Sequence, residues 1–223
     1  MKKQQSAVSC QLSVKKILTL LVTGYWLLVT AASAVTADDI VKRIQAKYNK
    51  IQDLQGSFSQ TSYLKDLDRV ENYEGTFFIK KTVGIKWAYS KPRDEEVLIR
   101  GSETWIYKKS EKQVLKTALG KDAYNQTPMA LLGSLGSLKD DFFIKMIKQD
   151  TLELTPKHKT GFIKKISLEI SSGDFPVKTF SILDIHGNKI RIEVKGVKIN
   201  SGLKDSLFMF RVPKDIEVFD LNQ

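Results

Sequence analysis

The chain has 223 residues, of which 42% are hydrophobic and 27% charged, and a formal net charge of +11. This length supports one domain with a sizeable core, and the composition is that of a globular protein. Six of its 36 basic residues are arginines, and the lysines are spread along the chain rather than clustered, so the sequence predicts no nucleic-acid partner.

The N-terminus has the pattern of a secretory signal peptide. Four lysines precede an apolar run at 17–29, which leads into a segment rich in alanine and other small residues at 31–37. A basic region, an apolar region and an A-x-A-like site in this order are typical of an export signal. Cleavage after Ala34 and cleavage after Ala37 both fit the pattern.

The sequence therefore predicts a signal peptide at 1–37 and a single exported domain at 38–223. An uncleaved membrane anchor is the alternative, because the apolar stretch is marginally long enough to span a bilayer. The single cysteine, Cys10, precedes the apolar run, whereas a bacterial lipoprotein carries its cysteine at the cleavage point. The exported domain is thus expected to be neither lipidated nor disulfide-bonded, and removal of the four signal lysines leaves it with a net charge of +7.

The exported part opens with a predicted helix and two long strands. Asp38 is the expected N-cap, since acidic residues favour the positive end of the helix dipole. An apolar stripe at helical spacing follows, formed by Ile40, Ile44, Tyr48 and Ile51, with Val41 beside it. The pattern then changes to period two over 54–65, and a turn at 66–68 leads into a second strand at 69–80.

The rest of the chain is dominated by strand-like runs joined by short turns. They lie at 85–89, 96–100, 104–108, 113–117, 142–148, 151–155, 162–170, 177–183, 189–199 and 207–212. Between the runs at 113–117 and 142–148 the sequence predicts an apolar helix, opened by Thr127-Pro128 and interrupted by glycine and serine residues. This helix could be either part of the core or a lid. We therefore predict a mainly β fold with α: a strongly curved open antiparallel sheet, an unclosed barrel of about eleven strands, under a helical lid.

Two aromatic pairs stand out in the region 75–107. Trp87 and Tyr89 close one strand, and Trp105 and Tyr107 close another, so that within each pair both rings point to the same side of the sheet. From the residues alone these rings could fill an ordinary core or line an apolar cavity. No metal spacing around the two histidines, no G-x-S-x-G elbow and no phosphate loop accompany them. The sequence accordingly predicts no enzyme and no cofactor.

Short motifs occur along the exported chain in a recognisable order. They are Phe58-Ser59-Gln60, Gly75 with the strand ending in Lys80-Lys81, Ile85-Lys86-Trp87 followed by Pro92, Gly101 with Trp105-Ile106-Tyr107, Thr127-Pro128, Leu154-Thr155-Pro156-Lys157, and Phe208-Met209-Phe210 before Pro213. In this order the chain resembles LolA, the periplasmic outer-membrane lipoprotein carrier family, along essentially its whole exported length.

The resemblance implies an open half-barrel closed by helices and a monomeric, non-catalytic chaperone of the periplasm. Such a carrier takes triacylated lipoproteins from an inner-membrane ABC transporter, shields their acyl chains and delivers them to the outer-membrane receptor LolB. A related half-barrel protein that binds free lipid or another apolar ligand remains an alternative, because a fold does not fix its cargo. A secreted hydrolase is disfavoured by the missing nucleophile.

The resemblance also suggests the residues of the site. Those expected to contact acyl chains or the closed lid are Phe58, Ile85, Trp87, Tyr89, Trp105, Met129, Leu131 and Leu132. Lys81 stands where the family has an arginine that latches the lid through backbone carbonyls. A lysine has no guanidinium fork and satisfies fewer carbonyls in fixed geometry, so we expect a looser latch or a replacement.

Overall fold

A computed structural model describes residues 35–118, 128–158 and 163–221, with the backbone alone for 128–130. Its helices are α1 (Ala37–Asn49) and α2 (Leu138–Asp141), with 3-10 helices at Lys65–Leu67, Pro128–Gly133, Leu135–Ser137 and Asp205–Phe208. Its strands are β1 (Asp53–Leu64), β2 (Arg69–Lys80), β3 (Gly84–Lys91), β4 (Glu95–Arg100), β5 (Glu103–Lys108), β6 (Gln113–Ala118), β7 (Phe142–Lys148), β8 (Thr151–Pro156), β9 (Ile163–Ile170), β10 (Val177–Asp184), β11 (Lys189–Ile199) and β12 (Glu217–Asp220). Within the described ranges no helix is long and apolar enough to cross a membrane.

The twelve strands of the described residues belong to one sheet, in the order β12-β6-β5-β4-β3-β2-β1-β11-β10-β9-β8-β7. Each neighbouring pair is antiparallel except β12 and β6, which run parallel. Among the described strands β7 and β12 form the two edges, so the sheet curves without closing. The predicted open antiparallel sheet is confirmed, with twelve strands in place of about eleven.

The N-cap of α1 is Thr36 rather than the expected Asp38. The Thr36 hydroxyl accepts a hydrogen bond from the Asp39 backbone N–H at 3.2 Å, and the Asp39 carboxylate accepts one from the Thr36 backbone N–H at 3.1 Å. This reciprocal capping box satisfies two backbone donors at once, which an N-cap at Asp38 could not do with the residues that follow it. Of the two predicted cleavage sites, the one after Ala34 would leave this box intact and the one after Ala37 would remove Thr36.

The C-terminal segment is the other departure from the predicted elements. The prediction of a strand at 207–212 is wrong. This segment crosses the convex face of the sheet as a 3-10 helix followed by irregular chain. Phe208 is fully buried there and packs at Gly84, where an added Cβ would lie 3.2 Å from its ring. The last strand of the described chain, β12, was not predicted: it has four residues and lies largely exposed beside β6.

A buried carboxylate fixes where the C-terminal segment leaves the sheet. Asp53, at the start of β1, accepts hydrogen bonds from the backbone N–H groups of Ser201 (2.8 Å), Gly202 (3.0 Å) and Leu203 (3.3 Å) and from the Ser201 hydroxyl (3.0 Å). The left-handed backbone of Gly202, with φ +74°, helps to turn these donors inward. Burial by itself would raise the pKa of Asp53, but these hydrogen bonds outweigh it and lower the pKa.

Replacing Asp53 with Asn should destabilise the fold, because an amide group would point N–H groups at backbone donors. We expect a loss of about 2–3 kcal/mol in the free energy of unfolding at neutral pH, measured by urea denaturation. A lowered folded pKa means that this stabilisation is present above the ordinary aspartate pKa and is lost as the pH falls through the folded value. The difference between the two proteins should therefore shrink in acid. Asp66→Asn, in the exposed 3-10 helix Lys65–Leu67, is the matched control, and equal stabilities of wild type and Asp53→Asn at neutral pH would contradict this account.

Candidate functional site

The concave face of the sheet carries a continuous apolar wall. Cross-strand register pairs Ile79 of β2 with Ile85 of β3, and Ile85 with Ile99 of β4, and paired residues share a face. One step further along, Phe77, Trp87 and Val97 form a second row in the same way. All six side chains are buried.

Phe58 enters this wall from β1 and contacts the ring of Tyr89 edge to face, with 5.5 Å between ring centroids. The contact depends on the glycine opposite Phe58: a Cβ at Gly75 would lie 2.7 Å from the Phe58 ring and 2.2 Å from the Ala88 carbonyl oxygen. Burial raises the pKa of the Tyr89 hydroxyl to about 12, and that hydroxyl donates to the Gln60 side chain at 3.3 Å. Toward the C-terminal ends of β1 and β3, the apolar wall therefore ends at the hydrogen-bonded pair Tyr89 and Gln60.

A lid covers the wall. It consists of the 3-10 helices Pro128–Gly133 and Leu135–Ser137 together with α2. Four leucines at helical spacing turn inward from it and are buried: Leu131, Leu132, Leu135 and Leu138. Gly133 lies directly over Ile85, since a Cβ there would approach the Ile85 Cδ1 atom to 2.9 Å. The lid backbone therefore touches the wall.

Helix α1 holds the lid through two hydrogen bonds to lid carbonyls. The Tyr48 hydroxyl donates to the Gly133 carbonyl at 2.9 Å, and the Gln45 side-chain amide donates to the Gly136 carbonyl at 2.8 Å. Burial raises the pKa of the Tyr48 hydroxyl, which therefore remains a neutral donor across the physiological range. Neither residue was predicted as a lid contact, although Tyr48 was placed in the apolar stripe of this helix, because only the folded chain brings the helix beside the lid.

Lys81 reaches the same helix rather than the lid. Its ammonium group donates to the Tyr48 carbonyl and lies 4.1 Å from the centroid of the Tyr48 ring. Partial burial lowers the pKa of Lys81. In the described structure the connection from Lys81 to the lid therefore runs through Tyr48, whose hydroxyl makes the bond to Gly133.

Trp105 does not belong to this wall, so the expectation that it contacts the closed lid is wrong, whereas its contact with acyl chains stays a prediction. Trp105 pairs with Leu98 of β4, and Leu98 pairs with Lys86 of β3, so these three residues share a face. Because Lys86 and Trp87 are successive residues of one strand, Trp105 lies on the convex face, opposite to Trp87. There its ring stacks on Phe210 of the C-terminal segment, with 5.0 Å between centroids and 16° between planes. The two aromatic pairs thus serve opposite faces of one sheet.

Seven of the other residues expected at the site can be compared with this geometry. Five of them are buried together in the core where wall and lid meet: Phe58, Ile85, Trp87, Leu131 and Leu132. Tyr89 is partly buried and packs against this core. Lys81 borders a cavity that opens at the edge of the lid. The side chain of Met129 lies outside the described residues. Whether these residues contact cargo stays a proposal.

Comparison with known proteins identifies the family. The family model for the outer membrane lipoprotein carrier protein LolA matches residues 49–211. The chain belongs to the LolA family. Among its relatives, outer-membrane lipoprotein carrier proteins of Yersinia enterocolitica and Pasteurella multocida are 30% and 29% identical over 194 and 197 residues, covering 86% and 88% of this chain and 93% and 95% of the relatives.

A solved structure supports the fold. The crystal structure of an uncharacterized conserved protein from Thermus thermophilus superposes with a TM-score of 0.52 at 16% identity, covering 82% of this chain and 98% of that one. At this identity the likeness concerns the fold alone. The family membership and the apolar wall under a lid together agree with the role of lipoprotein carrier that the LolA relatives have.

Replacing Tyr48 with Phe should loosen the lid while keeping the ring in place. The lost hydroxyl removes one neutral hydrogen bond worth about 1 kcal/mol, which corresponds to about fivefold more frequent lid opening. Hydrogen exchange of the amides in 131–138 would measure this directly, with amides of β9 and β10 as internal reference. Tyr63→Phe, which removes an exposed hydroxyl bonded to Asp68, is the matched control. Equal lid exchange in wild type and Tyr48→Phe would rule out the bond to Gly133 as a restraint.

Proposed function

We propose that the chain is exported to the periplasm, with a signal peptide that ends at Ala34 or Ala37, and works there as a monomeric lipoprotein carrier. It accepts triacylated lipoproteins from an inner-membrane ABC transporter and passes them to the outer-membrane receptor LolB. The single observation that carries this proposal is the apolar wall of the concave face beneath a separate lid. The names of the LolA relatives support the choice of cargo.

The energetics of the lid suit a carrier. Each buried lid leucine contributes about 1.5–3 kcal/mol, whereas each of the two hydrogen bonds from α1 to lid carbonyls contributes about 1 kcal/mol. The lid is therefore held mainly by apolar burial, at about 0.8 kcal/mol for each methylene group, and an acyl chain offers the wall the same interaction. Exchanging lid leucines for acyl methylenes changes the free energy little, so cargo can enter and can also be released.

Ile85 gives the most direct test at the wall. In the empty protein it is buried with Gly133 above it, and in the loaded protein we expect it to contact the acyl chain. An Ile85→Glu variant would place an unpaired carboxylate at this contact. We expect it to release at least tenfold less lipoprotein from spheroplasts than wild type. Normal release by this variant would remove Ile85 from the site.

The chain offers a matched control for that experiment. Ile185, in the turn between β10 and β11, is 59% exposed, so Ile185→Glu makes the same chemical change away from the wall. This variant should release lipoprotein like wild type. Circular dichroism of both variants checks that each is folded. If both variants fail to release lipoprotein, the effect is due to the added charge and not to the change at the wall.

A further inference from the structure

A cavity of about 620 Å³ opens where the lid edge meets the hairpin between β2 and β3. Its apolar walls are formed by Ile79, Ile85, Ile99, Leu131 and Phe142. Charged or titratable residues also border it: Tyr48, Lys80, Lys81, Asp141 and His158. Its volume falls within the range of sites that bind small molecules, so it can hold a ligand with one apolar and one polar end.

The charge of Lys81 is not neutralised by a carboxylate in the described structure. Its neighbour Lys80 forms an ion pair with Asp205 at 2.6 Å, but the ammonium of Lys81 is hydrogen-bonded to the neutral Tyr48 carbonyl instead. Asp141 and His158 border the same cavity from the lid side, and both are exposed. A half-buried cation with a neutral partner at the edge of an apolar cavity is a favourable position for an anion.

Lys81 can leave its present partner without exposing an unsatisfied group. The Tyr48 carbonyl also accepts the backbone N–H of Ile51 at 3.0 Å, so it keeps a hydrogen bond when the lysine turns away. An unpaired buried acceptor would otherwise oppose that movement. An anion that takes up the ammonium must therefore replace one hydrogen bond and the contact with the Tyr48 ring, but it leaves no buried acceptor unpaired.

We propose that this cavity binds a single-chain anionic amphiphile, with its tail against the three isoleucines and its carboxylate or phosphate on the Lys81 ammonium. This binding would use part of the wall proposed for lipoprotein acyl chains, but it concerns a free amphiphile and an anion site at Lys81, which go beyond the carriage of lipoproteins. It gives Lys81 a second role, because an anion that draws Lys81 away from Tyr48 acts on the residue that holds Gly133 of the lid.

Calorimetric titration with three ligands that share one tail tests the proposal. Undecanoate, decyl phosphate and decanol, each below the concentration at which it aggregates, are added to the purified exported protein. We expect one or both anions to bind at least about tenfold more tightly than decanol, the factor that corresponds to one charge-assisted hydrogen bond. The stronger anion identifies the head group. Equal affinities for anions and alcohol, or no binding of any of the three, would overturn the proposal.

Three variants assign the effect to Lys81. Lys81→Met should bind decanol as wild type does but lose the preference for anions, and Lys81→Arg should retain it. Lys91→Met, which removes an exposed charge at the far end of β3, is the matched control and should behave like wild type. Retention of the preference by Lys81→Met would refute the assignment. If the wild-type protein binds none of these ligands but still releases lipoprotein, this inference is refuted and the proposed carrier function is not affected.

Discussion

The apolar wall on the concave face must be kept from water, and most features of the structure follow from that requirement. An antiparallel sheet normally buries one face against a second layer, but here the layer is thin: α1, two 3-10 helices and the single turn of α2. The four lid leucines supply the cover, and the wall beneath them is made of isoleucine, phenylalanine and tryptophan side chains. Any molecule with a long apolar tail can replace that cover.

The restraints on the lid are specific in direction but small in energy. Tyr48 and Gln45 donate to two lid carbonyls, and both belong to a helix whose C-terminal end is fixed to the sheet. The fixation comes from Asn200, which accepts from the Gln52 backbone N–H at 2.7 Å and donates to the Lys50 carbonyl at 3.2 Å. Helix α1 can thus set the position of the closed lid, whereas burial of the lid leucines supplies most of the free energy that keeps the lid closed.

Much of the fold could be predicted because alternating side chains specify strands locally. Strands β2, β7 and β11 have the boundaries that periodicity gave. Strand β12 was missed because its four residues are mostly exposed and it pairs in parallel with β6, so neither alternation nor a turn marks it. The expected strand at 207–212 has suitable residues, but Phe208 is buried in the outer face of the sheet instead.

The site was only partly predictable, for reasons of register and of distance along the chain. Trp87 and Trp105 look equivalent in sequence, yet pairing across β4 puts them on opposite faces, and a shift of one residue would exchange those faces. Tyr48 fitted the apolar stripe of α1, so nothing marked its hydroxyl as a lid contact 85 residues away. Lys81 was considered only because of the resemblance to the family, since nothing in its own stretch of sequence marks it as a neighbour of α1.

The central claim is that the lid must leave the wall before cargo can bind, and a reversible lock tests it most directly. Asn49 and Gly136 are neighbouring positions at which to introduce a disulfide, because a Cβ at Gly136 would lie 3.2 Å from the Asn49 side-chain oxygen, and the only natural cysteine is Cys10 in the predicted signal peptide. The measurement is lipoprotein uptake by the Asn49→Cys/Gly136→Cys protein before and after reduction. The account predicts little uptake when oxidised and wild-type uptake when reduced. Equal uptake in both states, with the disulfide verified by mass spectrometry, would contradict it.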